Sequence, residues 1–283
     1  MVSPSPPANT VPGSARQLAI ITKYTFLDYF RSRRFFILLL IALLISGLLT
    51  ALVGYYRPEN FISTVLGFYG GWWGMSATFV VILSGIFFGG DAISGEFQNR
   101  TGYYSLPNPI RRSSVYVGKW LAAFIASTII LIIFATITIA NETFYFGPSV
   151  PYQFVESVGF AWFYLIAVLG FTFFFSSLFK STSYSILVTA ILFLFVFTLV
   201  QTLVAGLVKI EPWFILTYGS EIIGNVLQVP YPPHVSTTVF GPPGTRGLTS
   251  YNVTIPAGLA IIAGYFIVTA VLGLLLFERK EFN

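Results

Sequence analysis

Residues 35–56 read FFILLLIALLISGLLTALVGYY, 22 residues without a charged side chain. As a helix rising about 1.5 Å per residue, this run reaches about 33 Å, enough to cross a hydrocarbon core ~30 Å thick. A Lys, Arg or Asp at the centre of such a helix costs ~2.5–3.5 kcal/mol on insertion scales, so the absence of charge is itself the signal. Working outward, the same test selects five more runs: 60–90, 120–141, 157–179, 181–208, and the part of 247–277 that follows Pro256. The predicted spans are about 35–56, 62–88, 120–140, 157–178, 184–207 and 256–277. A seventh charge-free run, 222–245, fails because Pro230, Pro232, Pro233, Pro242 and Pro243 would break a helix there.

The composition agrees. The chain has 283 residues, 55% hydrophobic and 9% charged, against about 25% charged in a soluble domain. Its 30 Phe, 16 Tyr and 5 Trp suit helices that face lipid, with Tyr and Trp at the headgroup boundary. Zero Cys excludes disulfides, cysteine-ligated zinc, iron–sulfur clusters and cysteine nucleophiles. The expected class is an all-α membrane protein.

Basic residues accumulate in cytoplasmic loops. An even number of spans puts both termini on one side, and of fifteen Lys and Arg only Arg57, Lys209 and Arg246 then fall on the other. Both termini are therefore expected to be cytoplasmic and the chain multi-pass in the cell membrane. The net charge of +5 reflects this bias and calls for no nucleic-acid partner. All ten acids, from Asp28 to Glu281, fall outside the six windows or at their ends. Ion-coupled transporters usually need ionisable groups inside the membrane, so a secondary transporter is disfavoured, although backbone carbonyls can also hold sodium.

Residues 1–13, with Pro4, Pro6, Pro7 and Pro12, read as a disordered cytoplasmic tail without the pattern of a signal peptide, and 14–283 as one six-span domain. Ser14 and Gln17 have capping-box spacing. Behind them Ile20, Tyr24, Leu27 and Phe30 share a helical side while Lys23, Arg31 and Arg34 spread elsewhere. This suits either a helix lying on the inner leaflet or a cytoplasmic extension of the first span. Gly67, Gly70, Gly71, Gly74, Gly85 and Gly89 punctuate the second span with G-x-x-x-G spacing, which serves a dimer contact or packing within one subunit equally well. On the outer side, 213–229 is too polar to span and too apolar to float, and reads as a partly re-entrant or interfacial helix. Asn141 and Asn252 begin N-x-T glycosylation sequons on that side.

Nothing here has the makings of a catalyst. The one histidine, His234, sits in the Pro-rich outer loop, where neither a nucleophile–base pair nor a set of metal ligands accompanies it. No P-loop occurs, and its nearest decoy, GPPGTRG at 241–247, lacks the Lys. No catalytic, cofactor-binding or metal-binding residue is expected. Uphill movement would need a second chain to bind the nucleotide.

The most polar cytoplasmic connection is 89–119, GGDAISGEFQNRTGYYSLPNPIRRSSVYVGK. Residues 91–98 read as a short helix, Thr101 and Gly102 as a break, and 107–112 as a rigid turn. A short charged helix in such a loop suits docking of a soluble partner; an ordinary solvated loop is the plainer alternative.

With these residues in view, the sequence resembles the permease subunits of type-2 ATP-binding-cassette exporters. The resemblance covers about 14–281. It rests on KYTFLDYFRSRR at 23–34, which looks like the inner-leaflet helix of those permeases, and on Asp91, Glu96, Thr101, Pro109, Arg111, Gly118 and Lys119 in the loop after span two. The Pro-rich tail and the long outer loop at 228–247 depart from the simplest pattern. The resemblance implies six transmembrane helices, an inner-leaflet helix before the first and a cytoplasmic coupling helix; the long, partly re-entrant outer loop before the last helix is read from the residues alone. The resemblance implies an ATPase-coupling role for Asp91, Glu96, Phe97, Arg100 and Thr101. It also implies a partner ATPase subunit that holds ATP and Mg, a second permease subunit, as homodimer or heterodimer, and alternating access.

The family's path runs along spans two and five. In span five Thr198, Gln201 and Thr202 share one helical face, and Gln201 is the most polar side chain at mid-depth in any span. It serves either as glue to a neighbouring helix or as path lining. Phe193, Phe195 and Phe197 around it suit an apolar or amphipathic cargo. The reading from another class is a membrane scaffold that anchors partners and transports nothing.

Overall fold

The structure, a computed structural model, describes residues 13–58, 63–99, 111–238 and 248–280. The predicted tail therefore lies outside the described residues, apart from Gly13. Six helical segments are long and apolar enough to cross a membrane. The first begins after a break. Helix α1 (Ser14–Arg31) ends at Ser32, whose backbone is extended, and α2 (Arg33–Tyr56) starts there. The Ser32 hydroxyl accepts from the Phe35 N–H, a side-chain N-cap that starts a new helix instead of continuing the old one. That resolves the first alternative: 14–31 is a separate helix. It packs along the helix that begins at Arg112, with Ile21 against Gly118. The capping box expected of Ser14 and Gln17 does not form. Gly13 takes the cap position without a side-chain bond, and the buried Gln17 carbonyl instead accepts from the Arg111 N–H at 3.4 Å.

Span two consists of α3 (Val65–Tyr69), a π-helical turn at Gly70–Gly74, and α4 (Met75–Gly89). The bulge in GGWWG turns Trp72 and Trp73 fully inward, beside buried Phe68 and Tyr69. Tyr69 stacks on Phe154 at 4.1 Å between ring centres. The Trp73 indole N–H donates to the Ser157 hydroxyl at 2.9 Å, which donates in turn to the Ile223 carbonyl at 2.5 Å. All three groups are buried. Ser157→Ala is expected to strand the indole and the carbonyl together and to destabilise the folded chain by about 1–3 kcal/mol, read as a lower melting midpoint in detergent. An unchanged midpoint would show that the chain of bonds carries no stability.

Helix α6 (Arg112–Phe146) is 35 residues long and overruns the predicted window of 120–140 at both ends. The added C-terminal turns bury Glu142, which is fully excluded from solvent and accepts from the Tyr69 hydroxyl at 3.3 Å and the Ser149 hydroxyl at 3.4 Å. An acid expected at the edge of a span is thus inside the helix, held by two hydroxyl donors. Helix α7 (Tyr152–Leu178) is the spine of the fold: α4 crosses it on one side, and the last helix, α12 (Ile255–Arg279), on another. Gly85 and Gly89 face Val168 and Thr172 of α7, so these two glycines of span two serve packing within the chain.

Span five runs from Thr182 to Val208 as α8 (Thr182–Ile191), a π turn at Leu192–Val196, α9 (Phe197–Leu203) and a second π turn at Val204–Val208. Its sides are largely bare: Leu187, Phe195, Leu199 and Leu203 are exposed, as are Leu40, Leu44 and Leu48 of α2. Between spans five and six two short helices, α10 (Leu216–Ser220) and α11 (Ile222–Asn225), pack against α7 and α12. The Pro-rich segment then adds an element that an all-α reading lacks. Strands β1 (Val235–Thr238) and β2 (Leu248–Tyr251) pair antiparallel, Val235 opposite Tyr251. The Asn252 side chain closes the open end of the hairpin, donating to the Pro233 carbonyl and the Ser236 hydroxyl at 2.7 Å each.

Candidate functional site

Two constellations sit at opposite ends of span two. The first is α5 (Ser94–Gln98), directly after α4. Five residues cannot hold a helix alone, so its position depends on its ties. The Ser176 hydroxyl at the end of α7 accepts from the Ile93 and Ser94 N–H groups, at 2.9 and 3.0 Å. Glu96 forms an ion pair with Lys119 of α6, both side chains mostly buried, and the Lys119 ammonium also donates to the Ala92 carbonyl at 3.0 Å. The Gln98 carbonyl accepts from the Thr182 N–H at 2.7 Å, at the start of span five. Phe97 lies edge-on to Phe277 of α12, and the Lys280 ammonium sits 4.3 Å above its ring. Lys280 also donates to the Ser177 and Phe179 carbonyls at 2.9 Å each, and burial, with Lys180 adding to it, lowers its pKa to about 8. Asp91 pairs with Arg34 at the start of α2. The Tyr29 hydroxyl donates to the Phe88 carbonyl at 3.0 Å, so α1 is pinned to the same corner.

Of the predicted coupling residues, then, Asp91, Glu96 and Phe97 converge on this corner, while Arg100 and Thr101 lie outside the described residues. Glu96 turns toward α6, not outward. Ties from α5 and from the residues just before it reach the ends of spans one, three, four, five and six.

The second constellation is a cavity of about 1440 Å³ between spans two and five, partly open to the surface. Gly67, Gly70, Gly71 and Gly74 form its span-two wall, with Phe79 and Ile82 further along. The absence of side chains at the four glycines leaves the space. Phe193, Phe195, Thr198 and Gln201 supply the opposite wall, and Thr217, Glu221 and Asn225, in and between α10 and α11, close one end. Gln201 ties two of these parts together: its amide donates to Glu221 at 2.5 Å and its carbonyl accepts from the Thr217 hydroxyl at 3.0 Å. Burial pushes the Glu221 carboxyl up to about 7, against the donors from Gln201 and the Val253 backbone. Thr198 and Gln201 thus share the cavity. Thr202 is exposed outside its lining, with its hydroxyl bonded back to the Thr198 carbonyl at 2.9 Å.

Glu221 and Asn225 were not anticipated. Their only signal in the sequence was the polar interruption of an apolar stretch. The sequon residues are both engaged: the Asn141 amide donates to the Ile137 carbonyl inside α6, and Asn252 closes the hairpin. His234 Nε2 lies 3.4 Å from Glu211. Among the described residues no group of three or more His, Asp or Glu is placed to hold a metal.

The family model for the ABC-2 family transporter protein covers residues 19–282. No curated protein matches the chain.

Proposed function

The chain belongs to the ABC-2 transporter family, and from that premise we propose that it exports an amphipathic substrate by alternating access, driven by ATP hydrolysis in a separate subunit. Family membership makes it a multi-pass membrane protein, the permease component of an ABC transporter that works with an ATPase subunit, a transport component and not a catalyst. The finer reading is ours. Both termini face the cytoplasm of a cell whose boundary membrane the six helices cross. The segment around α5 docks on the ATPase, which holds ATP and Mg. A second permease subunit, identical or not, faces the open side of the cavity, and cargo passes between spans two and five.

One observation carries this reading. Span two bears the glycine-walled cavity near its start and the multiply tied helix α5 just past its end, so a single rigid element links a docking corner to a binding space. The π turns of spans two and five lie beside that space, at Gly70–Gly74 and Leu192–Val196. Such bulges are frequent at functional sites.

Purification in mild detergent tests the reading. Stoichiometric recovery of a P-loop ATPase, with ATP-dependent export in proteoliposomes, is the expected result. Recovery of a larger membrane complex without an ATPase would make the chain a scaffold. Movement that follows an ion gradient and ignores ATP would make it a secondary transporter.

A further inference from the structure

The cavity is not uniformly apolar, and its one acidic side chain, Glu221, stands at one end. Phe79, Ile82 and Phe193 line the long walls, whereas Glu221 and Asn225 stand together where α11 meets span two. Here the chains come close enough for the Gly224 Cα to face Gly74 directly. Glu221 is largely buried, and among the described residues no Lys, Arg or His forms an ion pair with it. The charged and titratable neighbours are Tyr218, Tyr231 and Glu211, none of them cationic, and His234 is taken up by Glu211. Asn225 is 8% exposed, and its amide nitrogen has no acceptor at hydrogen-bonding distance, although the Tyr231 hydroxyl lies nearby. A buried carboxylate with two hydrogen-bond donors but no counter-charge, and a buried amide with only the Tyr231 hydroxyl beside it, each carry a desolvation cost that the fold offsets only in part.

We propose that this end of the cavity is a head-group site for a cationic amphiphile: an ammonium seats against the Glu221 carboxylate, a hydrogen-bond acceptor on the same head meets Asn225, and the apolar tail lies along the Phe-lined walls. The proposal deepens the export reading and rests on it for direction of transport, not for binding. The ammonium supplies the charge that Glu221 lacks, and Gln201 holds the carboxylate at the cavity wall with its own donor. A neutral head would satisfy the hydrogen bonds without the charge. An anionic head would meet the Glu221 carboxylate as a like charge and bind less well.

The test uses the full chain in phosphatidylcholine nanodiscs, with empty discs as the blank. Bound tritiated dodecylamine is displaced by dodecylamine, dodecanamide or dodecanoate, three probes with one tail length and three head charges. The native chain is expected to prefer the amine to the amide by about ten- to a hundredfold, the range of a charge-assisted hydrogen bond. Glu221→Gln should reduce that preference to within about twofold while still binding the amide, which also reports that the cavity is intact. Glu221→Asp, which keeps the charge, should retain most of the preference. Equal binding of amine and amide by the native chain, or a preference that survives Glu221→Gln, overturns the proposal. Recovery of the ATPase from the same membranes separates the two readings. An ATPase without amine preference removes only the head-group site. Amine preference without an ATPase leaves the site standing and removes the exporter.

Discussion

Glu96→Ala is expected to leave the protein in the membrane and bound to its ATPase while reducing cargo-stimulated ATP hydrolysis about tenfold or more, close to the unstimulated rate. The sizes of two quantities decide this. A helix as short as α5 supplies little stability of its own, so the Glu96–Lys119 pair, with its side chains only 20% and 16% exposed, is one of the few bonds that fix it to α6. Removing one partner leaves a mostly buried ammonium with only the Ala92 carbonyl, at a cost of about 1–3 kcal/mol. Coupling free energies between distant sites are typically of the same size, about 1–3 kcal/mol, so one broken pair is enough to decouple. The fold survives because the Ser176 bonds and the Phe97 contacts remain.

The measurement is ATPase activity of the reconstituted complex with and without cargo. Exchanging the two charges, Glu96→Lys with Lys119→Glu, should restore part of the stimulation, and unchanged stimulation in Glu96→Ala would remove Glu96 from the role. Asp91→Asn should do less. Arg34, its partner, is 45% exposed, and a pair open to water contributes about 0–1 kcal/mol.

What the sequence disclosed follows the cost of error. A charge inside a lipid-facing helix is expensive, so the six spans were legible from where charge is missing, and the observed helices contain or nearly contain every predicted window. Breaks that depend on one hydrogen bond were not legible. Ser32 looked no different from the other polar residues near the first span, yet its hydroxyl separates α1 from α2. The C-terminal end of α6 was misplaced because Glu142 is polar by composition but satisfied by Tyr69, 73 positions away. Helix boundaries set by such tertiary bonds have no local signature.

The candidate site divides in the same way. The loop at 89–99 was legible because charge is rare enough in this chain to be conspicuous. Gln201 was legible as an isolated amide at mid-span. Its partner was not: Glu221 is one acid in an outer loop, and only the fold of α10 and α11 brings it to the cavity. The β1–β2 hairpin was hidden by its Pro-rich surroundings, although Val235–Thr238 and Leu248–Tyr251 are rich in residues that favour strands.

The glycines of span two give the second large effect, and Gly89→Leu is expected to abolish recovery of folded monomer. A Cβ at Gly89 would run into the Thr172 hydroxyl and come within 2.9 Å of the Thr172 Cβ and 3.3 Å of the Phe173 ring. The hydroxyl has little freedom to move aside. It donates to the Leu169 carbonyl at 3.1 Å, and Thr172 is fully buried. Overpacking a close-packed site costs about 1–3 kcal/mol when side chains can shift. Here relief requires α4 and α7 to separate, and α7 also carries α12, so the displacement spreads to the last span. Gly47→Leu is the matched control, because it makes the same change in α2 at an exposed position with nothing within 4 Å of the added Cβ. Its melting midpoint and elution profile in detergent should stay close to those of the native chain, while Gly89→Leu should aggregate or elute as a broad peak. If Gly89 instead served a contact between two copies, Gly89→Leu would shift the oligomer toward monomer and leave the monomer's melting midpoint unchanged. That outcome would return the G-x-x-x-G spacing to the dimer reading and remove the α4–α7 crossing as its cause.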